Sequence, residues 1–243
     1  TAGKSVIAVA GSHGNTSTRA IIAWILLQQG LGPTFIVGGV MQNLGTNARA
    51  GAGPHFVIEA DEYDRAFLGL GPQVAVITAL EHDHPDCYPS FGLMRAAFVD
   101  FARRLVPDGL LLVCGEDAAA GELGEELRGQ GARVETYGLG PGYDWRATGP
   151  EPGTQAAMEV WHAGRHACIC ALQVPGRHNV LNALGALAAS AAVGADPGAA
   201  CGALARFRGT ERRFELKGQA AGVTVIDDYA HHPTEIRVTL AAA

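Results

Sequence analysis

The chain has 243 residues, 48% of them hydrophobic and 17% charged, with a net charge of -6 at pH 7. This length supports a sizeable buried core in one or two domains, and an acidic balance without clustered Lys or Arg excludes a nucleic-acid footprint. No apolar run reaches the roughly 18 residues of a membrane span and no basic start leads into an apolar stretch, which excludes a membrane partner and points to a soluble cytoplasmic protein. The first residue is Thr1, and strand-like sequence begins within a few positions, so the chain reads as an excerpt of something longer.

In chain order the pattern predicts a strand over 5–10, a helix over 16–29, and strands over 34–37, 55–60 and 73–80. A helix over 90–105, a strand over 109–114, a helix over 118–128 and a strand over 133–137 follow. Short Val/Ile/Leu-rich strands alternating with helices predict an α/β fold, a mostly parallel P-loop-type sheet with helices on both faces. Three segments, 144–148, 156–162 and 165–174, then alternate apolar and polar residues around Ala163 and Gly164, predicting a small antiparallel β patch. Alanine-rich helices over 180–193 and 197–207 come next. Near Arg212 the pattern restarts as a strand pair, 214–217 and 223–226, and a helix from Pro233. This restart places a boundary between a domain at 1–211 and the first elements of a second α/β domain at 212–243.

The five cysteines, Cys87, Cys114, Cys168, Cys170 and Cys201, lack metal-ligand spacing. Cys168 and Cys170 would share one face of a strand. Buried reduced thiols are the expectation, in keeping with a cytosolic protein.

The run VIAVAGSHGNTST at 6–18 carries the first chemical signal. An apolar strand breaks into a glycine loop and then a helix, which places backbone N–H groups and a helix dipole where phosphate oxygens can sit. The generic expression wants glycine where Val9 stands and lysine where Asn15 stands, so the expression alone is a weak match. An ordinary strand-to-helix turn capped by Thr is the bland alternative. Glu59, Asp61, Glu62 and Asp64 follow a strand and lie at its carboxyl end, where open α/β sheets bind ligands; a solvated acidic loop competes with that reading. The next strand also ends in a polar cluster, Glu81, His82, Asp83, His84 and Asp86, which raises a metal-centred site and, as one alternative, a zinc hydrolase using His82, His84 and Asp86. Asn179 and Asn182 lie three apart at the start of a helix, able to meet a purine edge, while a plain cap role for His178 or Asn179 stays open. The run DDYAHHPTE at 227–235 ends a strand and begins a helix, with a spacing that matches no zinc template.

Taken together and in this order, AGSHGNT at 10–16, EADE at 59–62, DH at 83–84, GRHNVLN at 176–182 and DDYAHHPTE at 227–235 resemble the ATP-dependent Mur ligases of bacterial cell-wall synthesis. The resemblance runs through nearly the whole chain, as the family's central ATPase domain plus the first stretch of its C-terminal domain. The histidine after Ser12 and the 227–235 run are its specific parts. They point to the branch that joins L-alanine to UDP-N-acetylmuramate through an acyl phosphate, with the branch that attaches recycled murein tripeptide as the alternative.

By that resemblance the cofactors are ATP and Mg²⁺, the other substrates are UDP-N-acetylmuramate and L-alanine, and the protein is a monomer or weak homodimer. Gly11, Ser12, His13, Gly14, Thr16 and Ser17 would hold phosphates, and Asn15, Glu59 and His84 occupy catalytic positions. Thr16, Glu59 and His84 would ligate Mg²⁺, His178, Asn179 and Asn182 would face adenine, and Arg212 would approach the phosphates. Asp228 would reach the ribose, His231 the amino-acid pocket, and Asn47 and Arg49, in a loop over 38–49, the UDP-sugar. Two departures stand out. The flanking UDP-binding and amino-acid-binding parts are missing, so this excerpt is not expected to complete a ligation. Asn15 puts a neutral amide where the family has lysine, and losing such a contact costs about 3 kcal/mol or more of transition-state stabilisation, roughly a hundredfold in rate. That departure favours a rival reading, a non-catalytic nucleotide-binding module.

Overall fold

A computed structural model describes residues 3–149 and 157–243. Ten strands form one sheet in the order β10-β9-β8-β7-β6-β5-β1-β4-β2-β3. Its centre is β1 (Ser5–Ala10), flanked in parallel by β4 (His55–Glu59) and β5 (Val74–Ile77). Parallel pairing continues through β6 (Leu110–Cys114), β7 (Val134–Gly138) and β8 (Trp145–Thr148) on one side and β2 (Thr34–Met41) on the other. These central strands are apolar at nearly every position because both faces are covered. Alternate residues of β1 feed two cores: Ile7 and Val9 join the one beneath α1 (Asn15–Gln28), α4 (Arg177–Ala192) and α5 (Pro197–Leu204), and Val6, Ala8 and Ala10 join the one beneath α2 (Phe91–Ala102) and α3 (Ala118–Gly129).

The expected antiparallel patch is present, but as an extension of the main sheet: β9 (Met158–His162) and β10 (Arg165–Cys170) add antiparallel strands beyond β8. The predicted start of this segment at 156 lies outside the described residues. Another difference is at the opposite edge. The loop expected over 38–49 is largely strand, because β2 runs on to Met41 and turns into β3 (Thr46–Arg49), which pairs with it antiparallel. A 3₁₀ segment, Tyr63–Gly69, follows the acidic run, with Asp64 and Arg65 in the left-handed region. Cys168 and Cys201 are joined in a disulfide between β10 and α5, which corrects the expectation of five reduced thiols; Cys87, Cys114 and Cys170 are free. Packing of α5 on β10 brings together two cysteines 33 residues apart, a proximity no local pattern reveals.

Beyond the main sheet, β11 (Glu215–Ala220) and β12 (Val223–Asp227) form a two-stranded sheet, followed by α6 (Pro233–Ala242). Leu216, Val223, Val225 and Leu240 are exposed there. Among the described residues no helix is long and apolar enough to cross a membrane.

Candidate functional site

The carboxyl end of β1 runs into a glycine loop whose shape only glycine permits at two points. Gly11 has φ +139, and a Cβ there would collide with the Thr78 hydroxyl and the Ala79 carbonyl. Gly14 has φ +79, and a Cβ would stand 2.5 Å from the Asn182 Oδ1. The loop is laced to the end of β5: the Ser12 amide donates to the Ala79 carbonyl, the Ser12 hydroxyl to the Glu81 carbonyl at 2.8 Å, and the Thr78 hydroxyl to the His13 carbonyl. Helix α1 starts after Gly14 with no side-chain cap, leaving its dipole end toward the loop.

Asn15 turns back into this loop. Its Nδ2 donates to the Gly11 carbonyl at 3.1 Å, and its Oδ1 accepts from the Thr16 amide at 2.6 Å. One turn later Arg19 is fully buried, donating through Nε to the Asn15 carbonyl at 3.1 Å and through one terminal nitrogen to the Thr16 hydroxyl at 3.1 Å. Its other terminal nitrogen lies 2.5 Å from a Glu59 carboxylate oxygen. Burial lowers the Arg19 pKa, against the pull of Glu59, yet a guanidinium remains charged in proteins.

Helix α4 supplies a second wall. Its N-cap is Gly176, also without a side-chain cap, and it starts at Arg177 rather than 180, so His178, Asn179 and Asn182 all belong to its first turns. Asn179 donates to the Pro175 carbonyl at 2.6 Å, and the buried Asn182 receives the Thr18 hydroxyl at 3.4 Å, tying α4 to α1. Burial lowers the His178 pKa, against the pull of Asp228.

The third wall comes from 212–243. Glu235 closes a capping box at the start of α6 with His232 and extends one oxygen to His13 Nδ1 at 3.6 Å and to Arg213 at 3.5 Å. Burial alone would raise its pKa; the facing His13 imidazole, the hydrogen bond from the His231 amide and the Arg213 charge outweigh that and hold it at about 2. His13 is desolvated, which would lower it, but Glu235 and Glu81 raise it on balance. Glu81 lies 3.0 Å from His13 Nε2, accepts the Thr234 hydroxyl at 2.8 Å and sits 3.4 Å from His232 Nδ1. The two imidazoles lie 4.5 Å apart, centre to centre.

These walls enclose a cavity of about 320 Å³. Of the residues expected from sequence, His13, Gly14, Ser17, His178, Asn179, Asn182 and Asp228 line it. Asp228 also accepts the Phe214 and Ala230 amides at 2.7 Å, fixing the turn that brings Arg213 into the cavity. Arg212, expected at the phosphates, instead stacks on the Tyr229 ring at 4.6 Å, and its neighbour Arg213 lines the cavity. His231 is 65% exposed and outside it. Asn47 and Arg49 stand exposed on the edge strand β3, because the expected loop is a hairpin. Glu81, Glu116, Asp117 and Arg177 line the cavity without having been singled out for it; only the acidic run after β5 and the GRHN motif hinted at two of them.

The expected metal ligands are engaged otherwise. Thr16 and Glu59 are both held by Arg19. His84, at φ +52, faces Glu62 at 3.6 Å and Asp83 at 3.9 Å and meets Tyr63 edge-on at 5.3 Å. Burial pushes the Glu62 carboxyl up to about 7. A Mg²⁺ ion requires near-octahedral oxygen ligands at roughly 2.0–2.1 Å, and with a guanidinium between Thr16 and Glu59 this donor set does not fit it. The zinc alternative fails too: His82 bonds the Tyr88 carbonyl and Asp86 takes the Tyr63 hydroxyl. Among the described residues, three metal-ligating side chains converge only at His13, Glu81 and His232.

Residues 9–190 match the Mur ligase middle domain, and residues 212–243 the Mur ligase, glutamate ligase domain. A UDP-N-acetylmuramate–L-alanine ligase of Kineococcus radiotolerans is 46% identical over 243 residues, all of this chain and 51% of that protein. One of Roseiflexus castenholzii is 44% identical over 99% of this chain and 54% of its own. The chain thus spans about half the length of these curated relatives. Among solved structures, the UDP-N-acetylmuramate-alanine ligase of Thermotoga maritima aligns with a TM-score of 0.81 at 31% identity, covering 98% of this chain and 54% of that one. The UDP-N-acetylmuramate:L-alanyl-gamma-D-glutamyl-meso-diaminopimelate ligase of Neisseria meningitides aligns at 0.76 with 34% identity, over 86% and 68%.

Proposed function

The chain belongs to the Mur ligase family, and on that premise we propose that it is the ATP-binding core of an ADP-forming ligase that joins L-alanine to the muramoyl carboxylate of UDP-N-acetylmuramate, a cytoplasmic step of peptidoglycan precursor synthesis. The observation that carries this reading is the convergence of the glycine loop, the Asn179–Asn182 face of α4 and Asp228 on one cavity, whose volume falls in the range of small-molecule sites. In this reading the phosphates lie against Gly14, Ser17 and the α1 N-terminus, adenine against Asn179 and Asn182, and the ribose at Asp228. Arg213, facing the cavity from above, takes the phosphate-side role first given to Arg212.

The reaction is phosphoryl transfer followed by acyl transfer. A muramoyl carboxylate oxygen attacks the γ-phosphorus, the bond to the β-phosphate oxygen breaks, and ADP leaves an acyl phosphate. The alanine amine then attacks the acyl carbon, phosphate departs, and the amine loses a proton to give the amide. Magnesium, expected with ATP in such a ligase, would find its donors Thr16 and Glu59 already bound by Arg19. We assign 1–211 to the central ATP-binding domain and 212–243 to the start of the C-terminal domain; the exposed Leu216, Val223, Val225 and Leu240 are apolar surface against which more of that domain would pack.

A second reading, attachment of a recycled murein tripeptide, is supported by the similarity to the Neisseria ligase. The test is amide formation by the full-length protein containing this sequence, given UDP-N-acetylmuramate, ATP and either L-alanine or the tripeptide. Product with L-alanine supports the first reading and product only with tripeptide the second. ADP release that does not require the sugar nucleotide would overturn both. Nucleotide binding without any ligation, persisting in Asn15→Lys, would leave a non-catalytic binding module.

A further inference from the structure

Arg19 is the least expected residue beside the site: a cation with no solvent exposure, behind the glycine loop and outside the cavity lining, one helical turn beyond the position where a phosphate loop keeps its lysine. Its guanidinium bridges the Thr16 hydroxyl at 3.1 Å and the Glu59 carboxylate at 2.5 Å. Those are two of the three side chains that the family resemblance assigns to a divalent ion. The nitrogen nearest Glu59 is buried and makes no well-aligned hydrogen bond, so it retains a donor. Room for this head group comes from Gly38 on β2, where a Cβ would stand 2.9 Å from the Thr16 hydroxyl and 3.2 Å from the guanidinium. Asn15, meanwhile, closes the loop on itself through the Gly11 carbonyl and the Thr16 amide. Loop geometry therefore needs neither a lysine nor a metal to hold it.

We propose that Arg19 is the resident cation of this phosphate loop, standing in for the divalent ion between Thr16 and Glu59 and for the charge absent at Asn15, so that the chain binds adenine nucleotide without Mg²⁺. The inference rests on the nucleotide reading of the cavity. A fixed guanidinium donates to the Thr16 hydroxyl through one nitrogen and pairs by charge with the Glu59 carboxylate through the other. A hydrated Mg²⁺ ion at the same pair would have to displace it and strand a buried positive charge.

The test is titration of the 243-residue chain with ADP, once in excess Mg²⁺ and once with a chelator, followed by Mn²⁺ paramagnetic resonance on the ADP mixture. The expected result is a dissociation constant that changes by less than about threefold between the two conditions, with no Mn²⁺ held by the protein–ADP complex beyond what free ADP binds. Arg19→Thr should weaken metal-free binding about tenfold or more and acquire Mn²⁺ binding in the presence of ADP, as expected when a charged hydrogen-bonding group is lost. Should that variant unfold because Glu59 is left unpaired, the double variant Arg19→Gln with Glu59→Gln removes both charges and should weaken metal-free binding equally, without acquiring Mn²⁺. Wild-type binding that collapses on chelation, or one protein-immobilised Mn²⁺ ion per bound ADP, would overturn the proposal and leave the nucleotide site standing. Absence of ADP binding in both conditions would overturn the nucleotide reading and this inference with it.

Discussion

Glu235→Gln probes one of the contacts that hold 212–243 against the glycine loop. Glutamine keeps the size and the acceptor that caps the His231 and His232 amides, so the substitution removes charge and little else. A carboxyl held at about 2 against an ordinary 4.5 corresponds to about 3 kcal/mol of stabilisation of its charged form at neutral pH. Screening at its solvent-facing edge brings the expected loss to about 1–2 kcal/mol. Because this pKa is depressed on folding, the stabilisation is present above 4.5 and disappears as pH falls toward 2. His13 behaves oppositely: its pKa is raised, so its contribution is complete below 6.5 and is lost as pH rises through the raised value. Docking of α6 is therefore strongest from mildly acidic to neutral pH. Hydrogen exchange of the α6 amides and urea unfolding, run on both proteins across pH, measure the difference directly. A difference below about 0.5 kcal/mol at pH 7, or one of equal size at pH 3, would refute the assignment.

Three further outcomes are expected. Gly14→Ala, with a Cβ 2.5 Å from Asn182 Oδ1 at φ +79, should cost about 1–3 kcal/mol and abolish ADP binding, checked by thermal melting and titration. Phe67→Ala, which removes a ring stacked on Phe101 at 4.9 Å and edge-on to Phe98 at 5.3 Å, should cost about 3–5 kcal/mol in urea unfolding while leaving nucleotide affinity unchanged. Glu62, pushed up to about 7 by burial, carries the opposite sign from Glu235: stability is highest below 4.5 and falls as pH rises through 7, by about 2–3 kcal/mol. Glu62→Gln should flatten that fall in unfolding measured from pH 5 to 8, and an unchanged slope would contradict it.

The alternation of strands and helices was legible because β1, β5 and β6 are continuous apolar runs, the pattern of strands covered on both faces. Strand β3 was not, since Thr46, Asn47, Ala48 and Arg49 have no apolar period and are strand only through pairing with β2. The start of α4 lies three residues before the bound expected at Val180, because Arg177, His178 and Asn179 fall outside the apolar period that marks the helix. At the site, the glycine loop and the asparagine pair could be found from local pattern. The exchange of Arg212 for Arg213 could not, because it depends on a turn in which Arg212 and Phe214 both adopt positive φ. Nor could Arg19, an unremarked helix residue whose contacts appear only when Gly38 and Glu59 arrive beside it from other strands.

Whether the cavity between the glycine loop, α4 and 212–243 binds an adenine nucleotide is decided by titrating the chain with ATP, GTP and tripolyphosphate, in wild type and Asn182→Ala. One saturable site is expected, with a preference for ATP over GTP of about tenfold or more from base-edge hydrogen bonds. That preference should collapse in Asn182→Ala while tripolyphosphate competes equally well with both proteins. No saturable binding, or an ATP preference that survives Asn182→Ala intact, would contradict it.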